Sequence, residues 1–353
     1  MDLAIWEEPV HGSVFPPELF GLSGLEQLRL FLNAKAAPPP IEYLTGMRPT
    51  EFGAGTATFT MPITGWLQTP QGITTAGVVA ILADGPLGCA IQTTLPPATG
   101  YTTAELSINM VRPVPGTGQL IARGRLAHCG GQLGLSETFV TDEAGRLIAH
   151  GTSRCVIFPP AAGVPSPPAD EIPLAPVDDG NWIPPFERAA AGLVLGIETW
   201  RAHSGLEILR AQLAGNLPHS PIHHLLGVRL IEVDEGTSAF SMPATGWVTS
   251  QTGLVEGGVI ACLADLALAA AVQTTVPAGT AYAPTDLRTQ FIHPIPPDGS
   301  SITARASVVH RGRRIAVTRA EVTSEEGKLL ALANSSAVIL PGRRADLADV
   351  PLD

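Results

Sequence analysis

The stretch that decides the fold occurs twice in this chain. Residues 253–275 read GLVEGGVIACLADLALAAAVQTT, and residues 72–94 read GITTAGVVAILADGPLGCAIQTT. Twelve of the twenty-three aligned positions are identical, which indicates an internal duplication. Each copy joins a glycine-containing turn to an apolar helix with a single carboxylate, Asp84 or Asp265. Because an unpaired acid on so apolar a helix is costly to bury, both aspartates are predicted to be hydrogen-bonded or functional.

The sequence around the two apolar helices repeats with a shift of 181 residues. Ser23-Gly24-Leu25-Glu26 recurs at 204–207, and this pattern is typical of a helix N-terminus. Alternating polarity after the first helix predicts four antiparallel strands, at about 101–114, 119–128, 133–142 and 146–158. Residues 41–61 are predicted to be an extended pair, and Pro86 is predicted to kink the first helix.

The repeat gives an expected domain organisation. Two domains, 23–160 and 204–342, are separated by a Pro-rich linker and lead-in at 161–203. An N-terminal extension at 1–22 and a tail at 343–353 complete the chain.

Composition restricts the class of protein. The chain has 353 residues, of which 45% are hydrophobic and 15% charged, so it can bury a sizeable core. Its net charge of -11 argues against a nucleic-acid-binding surface. Four cysteines without metal-type spacing indicate a reducing compartment, and the acidic start MDLAIWEEPV does not read as a signal peptide. Since no apolar run is long enough to span a membrane, a cytoplasmic protein without a membrane partner is expected.

The order of these elements resembles a known family. Two strands, a helix with the pattern Gly-Gly-Val-x-Ala-x-Leu-Ala-Asp and four more strands resemble the hot-dog fold, over about 280 of 353 residues. Within that fold the sequence is similar to the acyl-CoA thioesterases of the phenylacetate-pathway (PaaI-like) type. The resemblance implies an α+β tandem (double) hot-dog, in which two antiparallel sheets each wrap around a long buried helix. It also implies hydrolysis of acyl-CoA without a further cofactor, and it allows a homo-oligomer of double hot-dog chains.

The family pattern is His-Gly-Gly followed seven residues later by Asp or Glu. This sequence matches it at Gly77 and Asp84 in the first copy, and at Gly257, Gly258 and Asp265 in the second. The resemblance assigns these positions to catalysis, with Thr103, whose family counterpart holds the attacking water. The positions where the family has its His and its Asn or Gln are expected to contact substrate, and here they are occupied by Thr75, Glu256, Thr69 and Ser250.

Helix geometry indicates that the sites are composite. Gly258 and Asp265 lie two turns apart, about 10 Å, so one carbonyl group cannot touch both. If the two helices pack antiparallel, Asp84 lies beside the amides of Gly257 and Gly258, and Asp265 lies beside Ala76 and Gly77. A helix N-terminus suits an oxyanion, and the Asp could act as general base or nucleophile.

The two composite sites are predicted to be unequal. In the second copy Pro284, which has no hydroxyl, replaces Thr103, and in the first copy Ala76 replaces the first glycine. The Asp84 site therefore keeps more of the family's parts, and hydrolysis is expected to depend mainly on it.

Several residues allow two interpretations. Glu256 is either a second acid or an exposed first-turn residue that complements the helix dipole, and the second interpretation is favoured. Arg311, Arg313 and Arg314 form either a solvated turn or a clamp on coenzyme A phosphates. His219, His223 and His224 lack the Cys or acid that would complete a metal site, so no metal is predicted.

Two other functions compete with hydrolysis. The missing His and Asn allow a non-catalytic double hot-dog that binds acyl thioesters or other small ligands. A hot-dog hydratase would need a His five residues after an Asp at the start of the helix, and neither helix contains a His.

Overall fold

The computed structural model describes residues 4–32, 37–165, 168, 171–176 and 182–340. The predicted tail at 343–353 and parts of the predicted linker lie outside these residues. The first repeat contains α1 (Gly24–Leu32), α2 (Pro40–Thr45), β1 (Arg48–Gly53), β2 (Thr56–Pro62), α3 (Ala76–Gln92), β3 (Tyr101–Met110), β4 (Gln119–Cys129), β5 (Leu133–Asp142) and β6 (Leu147–Ile157).

The second repeat has the same order. It contains α4 (Ile197–Ala202), α5 (Gly205–Leu213), α6 (Pro221–Leu226), β7 (Arg229–Asp234), β8 (Thr237–Pro243), α7 (Gly257–Gln273), β9 (Ala281–Pro284), β10 (Asp286–Phe291), β11 (Ser301–Arg311), β12 (Ile315–Thr323) and β13 (Leu329–Leu340).

The strands form one continuous antiparallel sheet in the described part of the chain. Its order is β1-β2-β4-β5-β6-β3-β10-β13-β12-β11-β8-β7, and β9 pairs with β13. Each repeat wraps its half of the sheet around its own long helix, as expected for a tandem hot-dog. The two halves join where β3 pairs with β10, for example at Ser107 and Arg288.

The two central helices form the core. Most of α3 and α7 is fully buried, and α3 packs on β2, β4 and β5 while α7 packs on β8, β11 and β12. Small side chains alternate with Leu, Ile and Val along both helices, and each large aliphatic side chain that is fully buried contributes about 1.5–3 kcal/mol. The predicted kink does not interrupt α3, which runs through Pro86 as one helix.

The helices cross antiparallel and in close contact within one chain, which confirms the predicted pairing. A Cβ atom added at Gly77 would lie 2.8 Å from Cys262 Cα, and one added at Gly258 would lie 2.6 Å from Ile81 Cα. These two contacts are related by the 181-residue shift, so the crossing has a pseudo-twofold axis. Glycine at both positions lets the backbones approach.

Each repeat also extends an arm onto the other repeat. Trp6 lies in the short 3-10 helix Ile5–Glu7 and packs against Gly227, whereas Phe186 lies in Pro185–Glu187 and packs against Gly46. The indole of Trp247 donates to the carbonyl of Glu8 at 3.1 Å, and that of Trp66 donates to the carbonyl of Arg188 at 3.0 Å. Each repeat therefore packs its arm on the other repeat. The predicted starts of the two domains, at residues 23 and 204, remain a prediction.

One local expectation was wrong. Residues 41–45 were predicted to be extended, but they form α2, because Pro40 starts a helical turn and Gly46 ends it with a φ of 76°. Within the predicted linker, Ile172 is buried in a small cluster with Leu19, Leu22 and Leu30.

The close crossing leads to a stability prediction. Alanine favours a helix over glycine by about 1 kcal/mol, but a Cβ at Gly77 would meet backbone that cannot swing aside. We expect Gly77→Ala to lower the free energy of unfolding by about 1–3 kcal/mol, the usual range for overpacking. Urea unfolding measures this, with Gly131→Ala as the control because a Cβ there meets nothing within 4 Å. A neutral or stabilising Gly77→Ala would contradict the tight crossing.

Candidate active site

Each central helix receives the carboxylate of the other at its N-terminus. The amide of Gly258 donates to Asp84 Oδ2 at 2.9 Å, and the amide of Gly77 donates to Asp265 Oδ2 at 2.9 Å. The amide of Gly257 also stabilises the carboxylate of Asp84. The structure therefore brings together the residues of both predicted composite sites, because antiparallel packing puts the middle of one helix beside the start of the other.

Burial dominates the electrostatics of both aspartates. It raises the pKa of Asp84 to about 6, against the opposing effect of the bonds from Gly258 and Gly257. It raises the pKa of Asp265 to about 6 as well, while the hydroxyl of Thr75 and the amide of Gly77 favour the charged form. At neutral pH both groups are largely ionised and held by helix-end amides.

A cavity of about 500 Å³ lies beside Asp84. Five of the predicted site residues line it, namely Asp84, Thr103, Ser250, Glu256 and Gly257. Its apolar wall includes Phe158, Ile260 and Phe291. The volume is that of an ordinary small-molecule site.

The equivalent region beside Asp265 is nearly closed. Its cavity measures about 30 Å³ and is lined by Thr69, Thr75, Leu266, Ala269, Pro284 and other residues. Asp265 is fully buried at 0% exposure, whereas Asp84 is 9% exposed. Thr69 donates its hydroxyl to the carbonyl of Ile73 at 2.9 Å, so that group is already engaged.

Two helix positions differ between the linings of the cavities. The large cavity is lined by Gly85 and Gly88, and the matching positions in the small one carry Leu266 and Ala269. The sequence analysis connected Gly85-Pro86 only with a kink. In the structure a side chain at Gly85 would meet the ring of Phe59, and one at Gly88 would meet the hydroxyl of Tyr101.

Glu256 corrects the favoured sequence interpretation. It was expected to be an exposed first-turn residue, but it is the N-cap residue of α7 and is only 6% exposed. It makes no side-chain capping bond, and its buried Oε2 finds no hydrogen-bond partner within the described part of the chain. Burial, together with the nearby charges of Asp84 and Glu42, raises its pKa well above the usual range. Burial and the neighbouring acids thus favour the neutral form of Glu256 over the ionised form.

Sequence reasoning missed Glu42. This residue of α2 is 7% exposed, and burial raises its pKa to about 8. Its counterpart after the 181-residue shift is His223, which is also buried and lines the small cavity. Burial lowers the pKa of His223 to about 3, so its imidazole is neutral. The available signal was an acid within the apolar run PIEYL, the same anomaly that marked Asp84.

The three arginines are not brought to the large cavity. Arg311 Nε donates to Thr275 Oγ1 at 3.1 Å, which places it at the C-terminal end of α7. Gly257 is at the other end of that helix, about 25 Å away along its axis. Arg313 and Arg314 are exposed in the turn between β11 and β12. This placement favours the solvated turn over a phosphate clamp for a ligand in the large cavity.

The described residues contain neither a metal-type cluster nor a membrane-spanning helix. No group of three or more His, Cys, Asp or Glu side chains there is arranged to hold a metal ion. In the same residues, no helix has the length and apolar character needed to cross a membrane.

Comparison with known proteins relates this chain to a protein family. The model of the thioesterase superfamily matches residues 252–331. The acyl-coenzyme A thioesterase PaaI of Escherichia coli (strain K12) is 32% identical over 109 residues, which are 30% of this chain and 74% of that protein.

Two solved structures resemble most of the chain. The tesB protein of Mycobacterium avium subs paratuberculosis has a TM-score of 0.52 at 13% identity, covering 86% of this chain and 98% of that chain. The acyl-CoA thioesterase II TesB2 of Mycobacterium marinum has a TM-score of 0.50 at 14% identity, with the same coverage. At these identities the likeness concerns the fold alone.

The buried Asp265 leads to a prediction about pH. Its pKa is about 6 in the folded chain and near 3.8 when unfolded, so the folded state binds more protons between these values. The contribution of Asp265 to stability is therefore complete below pH about 4 and is lost as pH rises through about 6. Asp265→Asn keeps an acceptor for Gly77 and cannot ionise.

We therefore expect Asp265→Asn to gain stability relative to wild type as pH rises from about 4 to about 7. Urea unfolding at several pH values measures the difference, with the exposed acid variant Glu232→Gln as the control. A difference between Asp265→Asn and wild type that does not change with pH would show that Asp265 does not ionise at a raised pKa.

Proposed function

The chain belongs to the thioesterase superfamily, and from that membership we propose that it hydrolyses acyl-CoA thioesters in the large cavity at Asp84. The proposal rests mainly on one observation about the groups that surround this cavity. A carboxylate from one helix and the N-terminal amides of the other meet at a cavity of about 500 Å³. The relative in Escherichia coli is named an acyl-coenzyme A thioesterase, which supports the substrate class.

The residues at the cavity have separate roles in this proposal. The carboxylate of Asp84 acts as a general base on water, or as a nucleophile on the thioester carbonyl. The amides of Gly257 and Gly258 orient that carboxylate and place the positive end of α7 beside the negative charge that develops on the carbonyl oxygen. Thr103 lines the same cavity and can hold the water with its hydroxyl.

Only one of the two composite sites has room for substrate. Asp265 also accepts a hydrogen bond from a helix-end amide, but the cavity near it, of about 30 Å³, has room for only a few water molecules. Pro284 stands there in place of Thr103 and has no hydroxyl. Hydrolysis is therefore assigned to Asp84, and Asp265 is assigned a structural role.

The test compares two matched substitutions. Thiol release is measured over short, long and aromatic acyl-CoAs for wild type, Asp84→Asn and Asp265→Asn. We expect Asp84→Asn to lose about 100-fold or more in kcat, because it removes the base or nucleophile. Asp265→Asn should stay within a few-fold of wild type. Since Asp84 must be ionised, wild-type activity should fall as pH drops below about 6.

The opposite results are equally informative. If Asp265→Asn abolishes turnover and Asp84→Asn does not, the assignment of the two sites is reversed. If wild type binds acyl-CoA but releases no thiol from any of these substrates, the chain is a ligand-binding double hot-dog, the alternative that the missing family His and Asn favour.

A further inference from the structure

The large cavity beside Asp84 offers few uncommitted hydrogen-bond donors for an oxyanion. The amide of Gly258 is already bonded to Asp84 at 2.9 Å, and the amide of Gly257 also faces that carboxylate. A substrate carbonyl that becomes an oxyanion must therefore share these amides with the ionised base. Removing one oxyanion donor typically costs about 100–1,000-fold in kcat, so a further donor at this place would matter.

Glu256 is placed where such a donor is needed. It lines the same cavity as Asp84 and directly precedes Gly257, the first helical residue of α7. The residue is only 6% exposed, and its Oε2 has no hydrogen-bond partner among the residues that the structure describes. The first repeat has Thr75 at the matching position, so this acid belongs to the large cavity alone.

Resting on the function proposed above, we infer that Glu256 is a catalytic residue that donates a hydrogen bond from its neutral carboxyl group to the carbonyl oxygen of the bound thioester. The terminal torsion of a glutamate is soft, so its O–H can turn toward the cavity when a carbonyl group arrives. No proton need leave Glu256, since its hydrogen bond stabilises the oxyanion formed by attack and is released when the C–S bond breaks.

The surroundings keep Glu256 in the donor form. Hydrogen bonds from two backbone amides stabilise the ionised form of Asp84 on α3. The side chain of Glu256 accepts no such capping hydrogen bond in the described residues. Glu42 on α2 is a further acidic group, which raises the pKa of Glu256 when Glu42 itself is charged. Because buried carboxyl groups close together do not all ionise, the proton stays on the one without partners. One site thus contains an ionised base and a neutral acid, set apart by their hydrogen bonds.

Two substitutions test the inference. Glu256→Gln keeps the shape and a neutral N–H donor, and Glu256→Met keeps the length but removes the donor. We expect Glu256→Gln to retain kcat within about 10-fold, and Glu256→Met to lose about 100–1,000-fold in kcat with little change in KM. Thermal unfolding checks that both variants fold, and Glu232→Gln controls for the loss of an acid at the surface of the same repeat.

The outcomes separate this inference from the proposed function. If Glu256→Met retains kcat within about 3-fold while Asp84→Asn is inactive, the proposed function stands and the donor role is wrong. If Glu256→Gln is as inactive as Asp84→Asn, Glu256 acts as a base and the donor role is again wrong. If wild type itself releases no thiol, the proposed function fails and the inference fails with it.

Discussion

The structure depends on one reciprocal interaction, the bond from a helix-end amide to a carboxylate in the middle of the opposite helix. Gly258 donates to Asp84 and Gly77 donates to Asp265, each at 2.9 Å. A buried carboxylate on an apolar helix is tolerated only with such partners, and a buried helix N-terminus needs an acceptor for its amides. Antiparallel packing satisfies both needs at once. It requires two copies of the helix, which the duplicated chain supplies in a single polypeptide.

The two ends of this arrangement differ in the space beside the aspartate. Gly85 and Gly88 line the large cavity at Asp84, whereas Leu266 and Ala269 line the small cavity near Asp265. The polar surroundings changed together with the space, since Glu42 and Glu256 in the region of the large cavity are matched by His223 and Thr75 at the small one. Neither the difference in space nor the difference in polar residues alters the helix crossing. The crossing is held by the two amide-to-carboxylate hydrogen bonds and by close contact at Gly77 and Gly258.

The sequence predicted most of what depends on local pattern or on the repeat, although it missed α2. Identity between the copies indicated the duplication, the apolar runs indicated buried helices, and the spacing from glycine to aspartate favoured an antiparallel pair. Cavity volume could not be predicted, because it depends on how Leu266 or Gly85 meets strands distant in sequence. The burial of Glu256 was misjudged for a related reason: the first turn of a helix is usually exposed, but here the opposite helix α3 packs against the start of α7. The exchanged arms could not be recognised from the repeat, because the equivalent positions are occupied by different residues, Trp6 and Phe186.

The retention of Asp265 follows from the geometry even if it never meets a substrate. Its bond fixes Gly77 at the start of α3, seven residues before Asp84 on the same rigid helix. Losing the carboxylate would leave that amide buried without an acceptor, which costs about 1–3 kcal/mol, and would loosen the crossing that sets the position of Asp84. One aspartate can therefore serve as the structural counterpart of the other. The hydrogen bond from Gly77 to Asp265 thus helps to fix the helix that contains Asp84.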